Sequence, residues 1–245
     1  MHLAENECKP VLASEEVKVA RGRAEPKVEL TSAAEAVDKL HRHSRKLAEF
    51  TRQAAQALGA YEGGNAAVRE SNALQLPVET IIMLYATESA LMAALRLYAL
   101  FDSDVNMVSY QRVYRHLQRE DVREELLGRS RSNYLNPDET RSLIASFENT
   151  YASLDWKAHG RLMRLRNIGL AHLTETELKD SISFGALRAL GHSACLLCKD
   201  LELLTRGHNS DAAQWVDWHT SQAYVFWARH VKLLHGVELP VWVGS

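Results

Sequence analysis

Apolar residues recur every three to four positions along most of this chain, and that spacing places them on one face of a helix. A Ser32–Glu35 capping box and an Asn136 cap followed by Pro137 mark two helix starts, because their side chains satisfy amides at the beginning of a helix. The predicted helices cover residues 32–58, 77–100, 109–118, 121–127, 136–153, 155–171, 176–204 and 209–234.

Glycines and charged residues interrupt the apolar pattern in the first half of the chain. Gly59 is predicted to end the first helix, and residues 61–75, which are polar and contain two adjacent glycines, are predicted to form a loop. The following helix is apolar on most sides and is predicted to be the central one. Because Glu88 and Arg96 interrupt its apolar run, we interpret it as a buried helix and not as a membrane span.

Composition supports an all-α protein, since only 12 of the 245 residues are Gly and 5 are Pro. A chain of this length can build one generous helical domain. Residues 1–30 mix charges with Gly and Pro and are predicted to form an irregular N-terminal arm. Residues 31–236 form the predicted helical bundle, and residues 237–245 form a C-terminal tail.

The net charge of −2 gives no overall field that would attract a polyanion, so any such partner must bind a local basic patch. Cys8, Cys195 and Cys198 form no paired framework, which fits a reducing compartment. The first residues lack the basic and apolar regions of a signal peptide. We therefore expect a soluble cytoplasmic protein that does not bind membranes.

Arg166 is the residue around which the chemistry of the chain is predicted. On a helix its neighbours three and four residues away include Leu162, Met163 and Leu170, so its guanidinium is expected among side chains that favour the core. A charge there costs several kcal/mol or more unless a carboxylate, a phosphate or water meets it. The position therefore calls for a partner or a chemical role.

His172, six residues later, is the nearest group that titrates near neutral pH. Residues six apart on a continuous helix point about 120° away from each other, so the two side chains do not share one face. Thr174 and Glu177 fit a capping box that opens a new helix. The prediction is a helix, a tight corner at His172 and a second helix, with Arg166 and His172 meeting through that corner or across a dimer axis.

The motif at the predicted helix end consists of Arg166, the polar residue Asn167, four further residues and His172. It resembles the signature of the HEPN superfamily, in particular its AbiU-type abortive-infection proteins. The resemblance extends over residues 31–205 and includes the Phe101-Asp102-Ser103-Asp104 turn. It implies an up-and-down helical bundle with additional helices and an N-terminal arm. It also implies a homodimeric, metal-independent endoribonuclease that acts in phage defence or as a toxin, without a cofactor. An antitoxin or a nucleotidyltransferase is the further partner that it suggests.

Three further groups of residues allow more than one interpretation. Lys157, Arg161 and Arg164 form a basic stripe that is either a solvated helix face or a guide for the RNA backbone. Two groups in the last two helices are expected to pack in the core. For His192, Cys195 and Cys198 the alternative is a metal site. For Trp215, Trp218 and Trp227 the alternative is an aromatic platform that binds bases.

A second hypothesis remains for the chain as a whole. In it the protein is a non-catalytic helical interaction module, Arg166 pairs with a core carboxylate such as Glu88 or Glu148, and His172 is a structural corner residue.

Overall fold

Helices account for all the regular secondary structure in the residues that the computed structural model describes, which are 31–77, 80–104, 107–130, 135–166 and 182–242. The prediction of an all-α bundle is therefore confirmed. The helices are α1 (Ala33–Ala73), α2 (Thr80–Leu100), α3 (Tyr110–Leu117), α4 (Glu120–Ser130), α5 (Pro137–Ala152), α6 (Trp156–Arg164), α7 (Phe184–Arg206) and α8 (Trp215–His235), with a short 3-10 turn at Ala212–Gln214 before α8.

The longest helix, α1, is the centre of the bundle. Its 41 residues extend about 60 Å at 1.5 Å per residue, and α2, α7 and α8 all pack along it. The predicted capping box opens it: the Glu35 amide donates to the Ser32 hydroxyl at 3.3 Å and the Ser32 amide donates to the Glu35 carboxylate at 3.2 Å. The prediction that α2 is central is wrong, because several large apolar side chains of α2 are exposed.

The predicted helix end at Gly59 and the predicted loop over residues 61–75 are also wrong, since α1 continues through both. A Cβ atom at Gly59 would lie 2.5 Å from the Cβ of His219, and one at Gly63 would lie 2.5 Å from the carbonyl oxygen of Thr220. These glycines let the backbone of α8 approach α1 closely. The prediction is wrong because glycine is typical both of a helix end and of a point where two helix backbones approach closely, and the sequence does not distinguish the two.

Two groups of buried side chains hold the helices together. The main core lies between α1 and helices α2 to α7, and in it the hydroxyl of Thr51 on α1 hydrogen-bonds the hydroxyl of Tyr110 on α3 at 2.7 Å. A smaller core joins the second half of α1 to α2 and α8 around Trp227. Residues of the predicted tail pack on it, because the Tyr224 hydroxyl donates to the Pro240 carbonyl at 2.6 Å and its ring lies 5.3 Å from that of Trp242.

Local capping signals account for the helix starts in the second half of the chain. Asn136 caps α5 as predicted, with its side chain accepting from the amides of two following residues at 2.8 and 3.0 Å. Asp155 caps α6 in the same way, so α5 and α6 are separate helices. The predicted start of the next helix at residue 176 lies outside the described residues. The predicted continuous helix over 176–204 is wrong, because Ile182 and Ser183 are not helical and Ser183 caps α7 at Phe184.

Candidate functional site

Four of the six predicted site residues lie on or just beyond α6, in the part of the chain that the structure describes. Lys157, Arg161 and Arg164 belong to α6, and Arg166 follows its last turn. All four side chains are exposed. The other two, Asn167 and His172, lie outside the described residues, as does the capping box predicted after them.

Arg166 is exposed, which corrects the expectation that its guanidinium lies in the core. Of its predicted apolar neighbours, Leu162 is buried but Met163 is 44% exposed. Arg166 lies at the edge of the buried side of α6, where its guanidinium reaches the end of α2 and rests over the ring of Tyr98, with Cζ 5.4 Å from the ring centroid. A cation over an aromatic face is attracted by roughly 0.5–1 kcal/mol at an exposed position.

Tyr98 lies between two charged residues. The negative charge of Asp102, two residues after the end of α2, and the positive charge of Arg166 both act on its hydroxyl. Partial burial raises the pKa of Tyr98, and the charge and hydrogen bond of Asp102 raise it further, while Arg166 lowers it. The phenol is therefore neutral at physiological pH, and its ring is a fixed surface for the guanidinium.

His159 on α6 supports the same ring. Its imidazole is parallel to the Tyr98 ring within 2° at a centroid distance of 5.9 Å, and it meets the rings of Phe101 and Trp156 edge to face. Burial lowers the pKa of His159, while the charge of Asp102 and a hydrogen bond to the Tyr98 carbonyl raise it. Because burial is the largest of these effects, the imidazole is neutral at neutral pH and packs as an aromatic ring.

The basic stripe of Lys157, Arg161 and Arg164 lies on the other flank of α6. The buried residues Ala158 and Leu162 face the core between the two flanks. Within the residues that the structure describes, Lys157 and Arg161 form no ion pair. By the helical repeat, the stripe and Arg166 thus lie on opposite sides of the buried face of α6.

Sequence reasoning missed Tyr98 and His159 as members of the site. Two spacings carried a signal: Tyr98 and Asp102 are four apart at a helix end, and His159 precedes Arg166 by seven, which is two helix turns. Neither spacing says that α2 and α6 touch, so the site could not be assembled from either one alone.

The carboxylates suggested as buried partners of Arg166 have other surroundings. Glu148 accepts hydrogen bonds from Arg123 at 2.6 Å and from Gln118 at 2.7 Å, and Glu88 is exposed. Arg166 itself is exposed and not buried. The second hypothesis, a non-catalytic helical interaction module, stays a hypothesis.

The cysteines considered as metal ligands pack in the main core. Cys195 and Cys198 are buried free thiols, and burial raises the pKa of Cys195 to about 12 and that of Cys198 further. Among the residues that the structure describes, no group of three His, Cys, Asp or Glu side chains is arranged to hold a metal ion. Trp227 is buried as expected, whereas Trp218 is 57% exposed.

Comparisons with protein-family models, with curated proteins and with solved structures found no match to this chain.

Proposed function

We propose that the chain is a metal-independent endoribonuclease of the HEPN type that acts in phage defence or as a toxin. The reaction is attack of a ribose 2′-hydroxyl on the adjacent phosphorus, which expels the 5′-oxygen of the next nucleotide and leaves a 2′,3′-cyclic phosphate. The chemistry requires a base for the hydroxyl proton, an acid for the leaving oxygen and a positive group for the charge that builds on the phosphate.

The observation that carries the proposal is the accessible guanidinium of Arg166 on the ring of Tyr98. A ring face restrains the position of a guanidinium, because the cation is attracted to the face of the ring. The planar fork of Arg matches two phosphate oxygens at once, which Lys does not do. Arg166 is therefore suited to hold a phosphodiester that approaches from solvent.

The remaining roles come from the motif to which Arg166 belongs. His172 takes and returns the protons, because an imidazole changes its charge near neutral pH. Asn167 orients His172 or the phosphate through its amide. In a homodimer two copies of the motif supply a base and an acid for each reaction.

The exposed stripe of Lys157, Arg161 and Arg164 gives the RNA a second point of attachment. Lys157 and Arg161 have no ion-pair partner among the described residues, so phosphates do not have to displace one. Since the chain has a net charge of −2, attraction must arise from this flank and not from the whole molecule.

The test is cleavage of a labelled RNA by the purified full chain in the presence of EDTA. The expected products carry 2′,3′-cyclic phosphate ends, and His172→Ala and Arg166→Ala are each expected to lower the rate at least a hundredfold. Arg166→Lys retains the charge but not the fork, so it should restore only part of the activity.

Arg141→Ala is the matched control for the Arg166 variants. Arg141 is an exposed arginine on α5 that pairs with Asp138 at 2.8 Å, away from the proposed site, so its variant should cleave like the wild type. Circular dichroism checks that each variant keeps its helices. Full cleavage by both His172→Ala and Arg166→Ala, or cleavage that EDTA abolishes, would contradict the proposal. Absence of any cleavage or RNA binding by the wild type would favour the non-catalytic interaction module.

A further inference from the structure

The side of α2 that faces away from α1 carries a row of exposed apolar side chains. Ile81, Leu84, Tyr85 and Met92 are between 43% and 54% exposed, and Leu91 is 36% exposed. Their helix packs on α1 with the opposite side, through residues such as Ile82 and Leu97. Water-exposed apolar side chains in a continuous row indicate a surface that binds something apolar.

The spacing along this row is that of a helix-packing seam. Ile81, Leu84, Glu88, Leu91 and Leu95 follow one another at intervals of three, four, three and four residues. This is the repeat by which two helices interlock side chains along their length. We refer to these five positions, with Tyr85 and Met92 beside them, as the α2 outer face.

Phe226 of α8 extends the α2 outer face at its first half. It is 62% exposed and packs against the ring of Trp227, which in turn meets Tyr85 at a centroid distance of 5.7 Å. Complete burial of an aromatic side chain removes about 150–250 Å² from water, and the side chains of this surface are roughly half exposed, so it offers on the order of 500 Å² per copy. Two copies would bury about 1,000 Å², which is the lower limit for a specific protein interface.

A second copy fits this surface better than a lipid bilayer does. Among the described helices α2 is long and apolar enough to cross a membrane, but core helices of water-soluble proteins pass the same test. Glu88 is exposed in the middle of the seam, and a carboxylate in hydrocarbon is costly. In a helix pair, one polar residue in an apolar seam is tolerated and restricts the register.

We infer that the α2 outer face is a two-fold interface, in which it binds the same face of a second copy of this chain. The row has two apolar residues on each side of Glu88, so two antiparallel copies that cross at Glu88 bring apolar residues opposite apolar residues, as a two-fold interface requires. It continues directly into the candidate site, because Tyr98 lies three residues after Leu95 on the same helix. The interface therefore ends beside the contact between Tyr98 and Arg166.

The test is the mass of the full chain in solution, measured by light scattering over a range of concentrations. The wild type is expected at twice its chain mass of 27.6 kDa. Leu84→Glu and Leu91→Glu place a charge in the seam and should each shift the protein to 27.6 kDa without loss of helix content. Glu88→Leu removes the like charges that the two copies bring together, and it should lower the dissociation constant of the dimer.

Leu196→Glu is the matched control, because Leu196 is a 43% exposed leucine on α7, which contributes no residue to the α2 outer face, and its variant should remain dimeric. A wild type that stays at one chain mass at every concentration overturns the inference, as does a dimer that survives both Leu84→Glu and Leu91→Glu. A monomer that binds phosphatidylcholine–phosphatidylglycerol vesicles through Leu84 identifies a membrane surface instead and also overturns it. The inference rests on the homodimer of the proposed function: a monomeric wild type contradicts both, whereas a dimer that survives Leu84→Glu and Leu91→Glu contradicts this inference alone.

Discussion

The guanidinium of Arg166 lies over the ring of Tyr98, with Cζ 5.4 Å from the ring centroid. Tyr98 belongs to α2 and Arg166 follows the last turn of α6, and the ring of His159 on α6 lies parallel to the Tyr98 ring. A cation is attracted to the face of a neutral ring. The position of the cation is thus set by α2 as much as by its own helix.

The ring of Tyr98, and not its hydroxyl, is predicted to position Arg166. Tyr98→Ala removes a cation–ring attraction of about 0.5–1 kcal/mol, so RNA affinity should fall about two- to fivefold. Tyr98→Phe is the matched variant, since it keeps the ring and removes only the hydroxyl, and it should bind nearly like the wild type. Fluorescence anisotropy with a labelled RNA measures both. Equal losses in the two variants would assign the effect to the hydroxyl.

The basic stripe on α6 is predicted to contribute phosphate contacts that weaken as salt increases. For single-stranded RNA each contact changes the slope of log affinity against log salt concentration by about 0.7. Lys157→Ala and Arg161→Ala should each reduce the slope by about that amount and lower affinity for all sequences alike. Arg141→Ala, which removes an exposed arginine paired with Asp138, should leave the slope unchanged. An unchanged slope in both stripe variants would mean that RNA does not bind this flank.

Helix starts were predictable from the sequence because their signals are local. Ser32 and Asn136 each cap a helix through side chains within three residues, and both starts are confirmed. The predicted helix end at Gly59 is wrong because this glycine makes room for α8, which is more than 150 residues away in the sequence. Residues that are neighbours in the sequence give no information on that contact.

The setting of Arg166 and the position of α2 were mispredicted for a related reason. Apolar neighbours in sequence favour burial of Arg166, but the guanidinium sits at the edge of its helix against Tyr98. The apolar α2 was predicted to be central, yet one side of it is exposed. An apolar residue in the sequence does not distinguish packing within one chain from packing against a second molecule.

Two half-buried histidines, His43 on α1 and His116 on α3, predict a loss of stability in mild acid. Burial is the largest cause that lowers the pKa of each to about 4, and the charge of Arg112 adds to it. In the unfolded chain a His titrates near 6.5, so between about pH 6.5 and 4 the unfolded state binds more protons than the folded state. Their contribution to stability is therefore complete above about pH 6.5 and declines as the pH falls towards 4.

Thermal unfolding at neutral pH and at pH 5 measures this effect. The double variant His43→Gln with His116→Gln should lose less Tm between the two pH values than the wild type does. If the double variant loses as much Tm as the wild type, these two histidines do not remain neutral in the folded protein.

The crossing of α1 and α8 is predicted to require glycine at residue 63. A Cβ there would lie 2.5 Å from the Thr220 carbonyl oxygen and 2.6 Å from the Tyr224 amide nitrogen, and both are backbone atoms that move only with α8. Gly63→Ala should therefore cost about 1–3 kcal/mol of unfolding free energy despite the higher helix propensity of Ala. Gly128 is the matched control on α4: a Cβ there meets nothing within 4 Å, so Gly128→Ala should stabilise the protein by about 0.5–1 kcal/mol. Urea unfolding of both variants measures the two changes in unfolding free energy. A Gly63→Ala variant that is more stable than the wild type would show that α1 and α8 can move apart without a loss of stability.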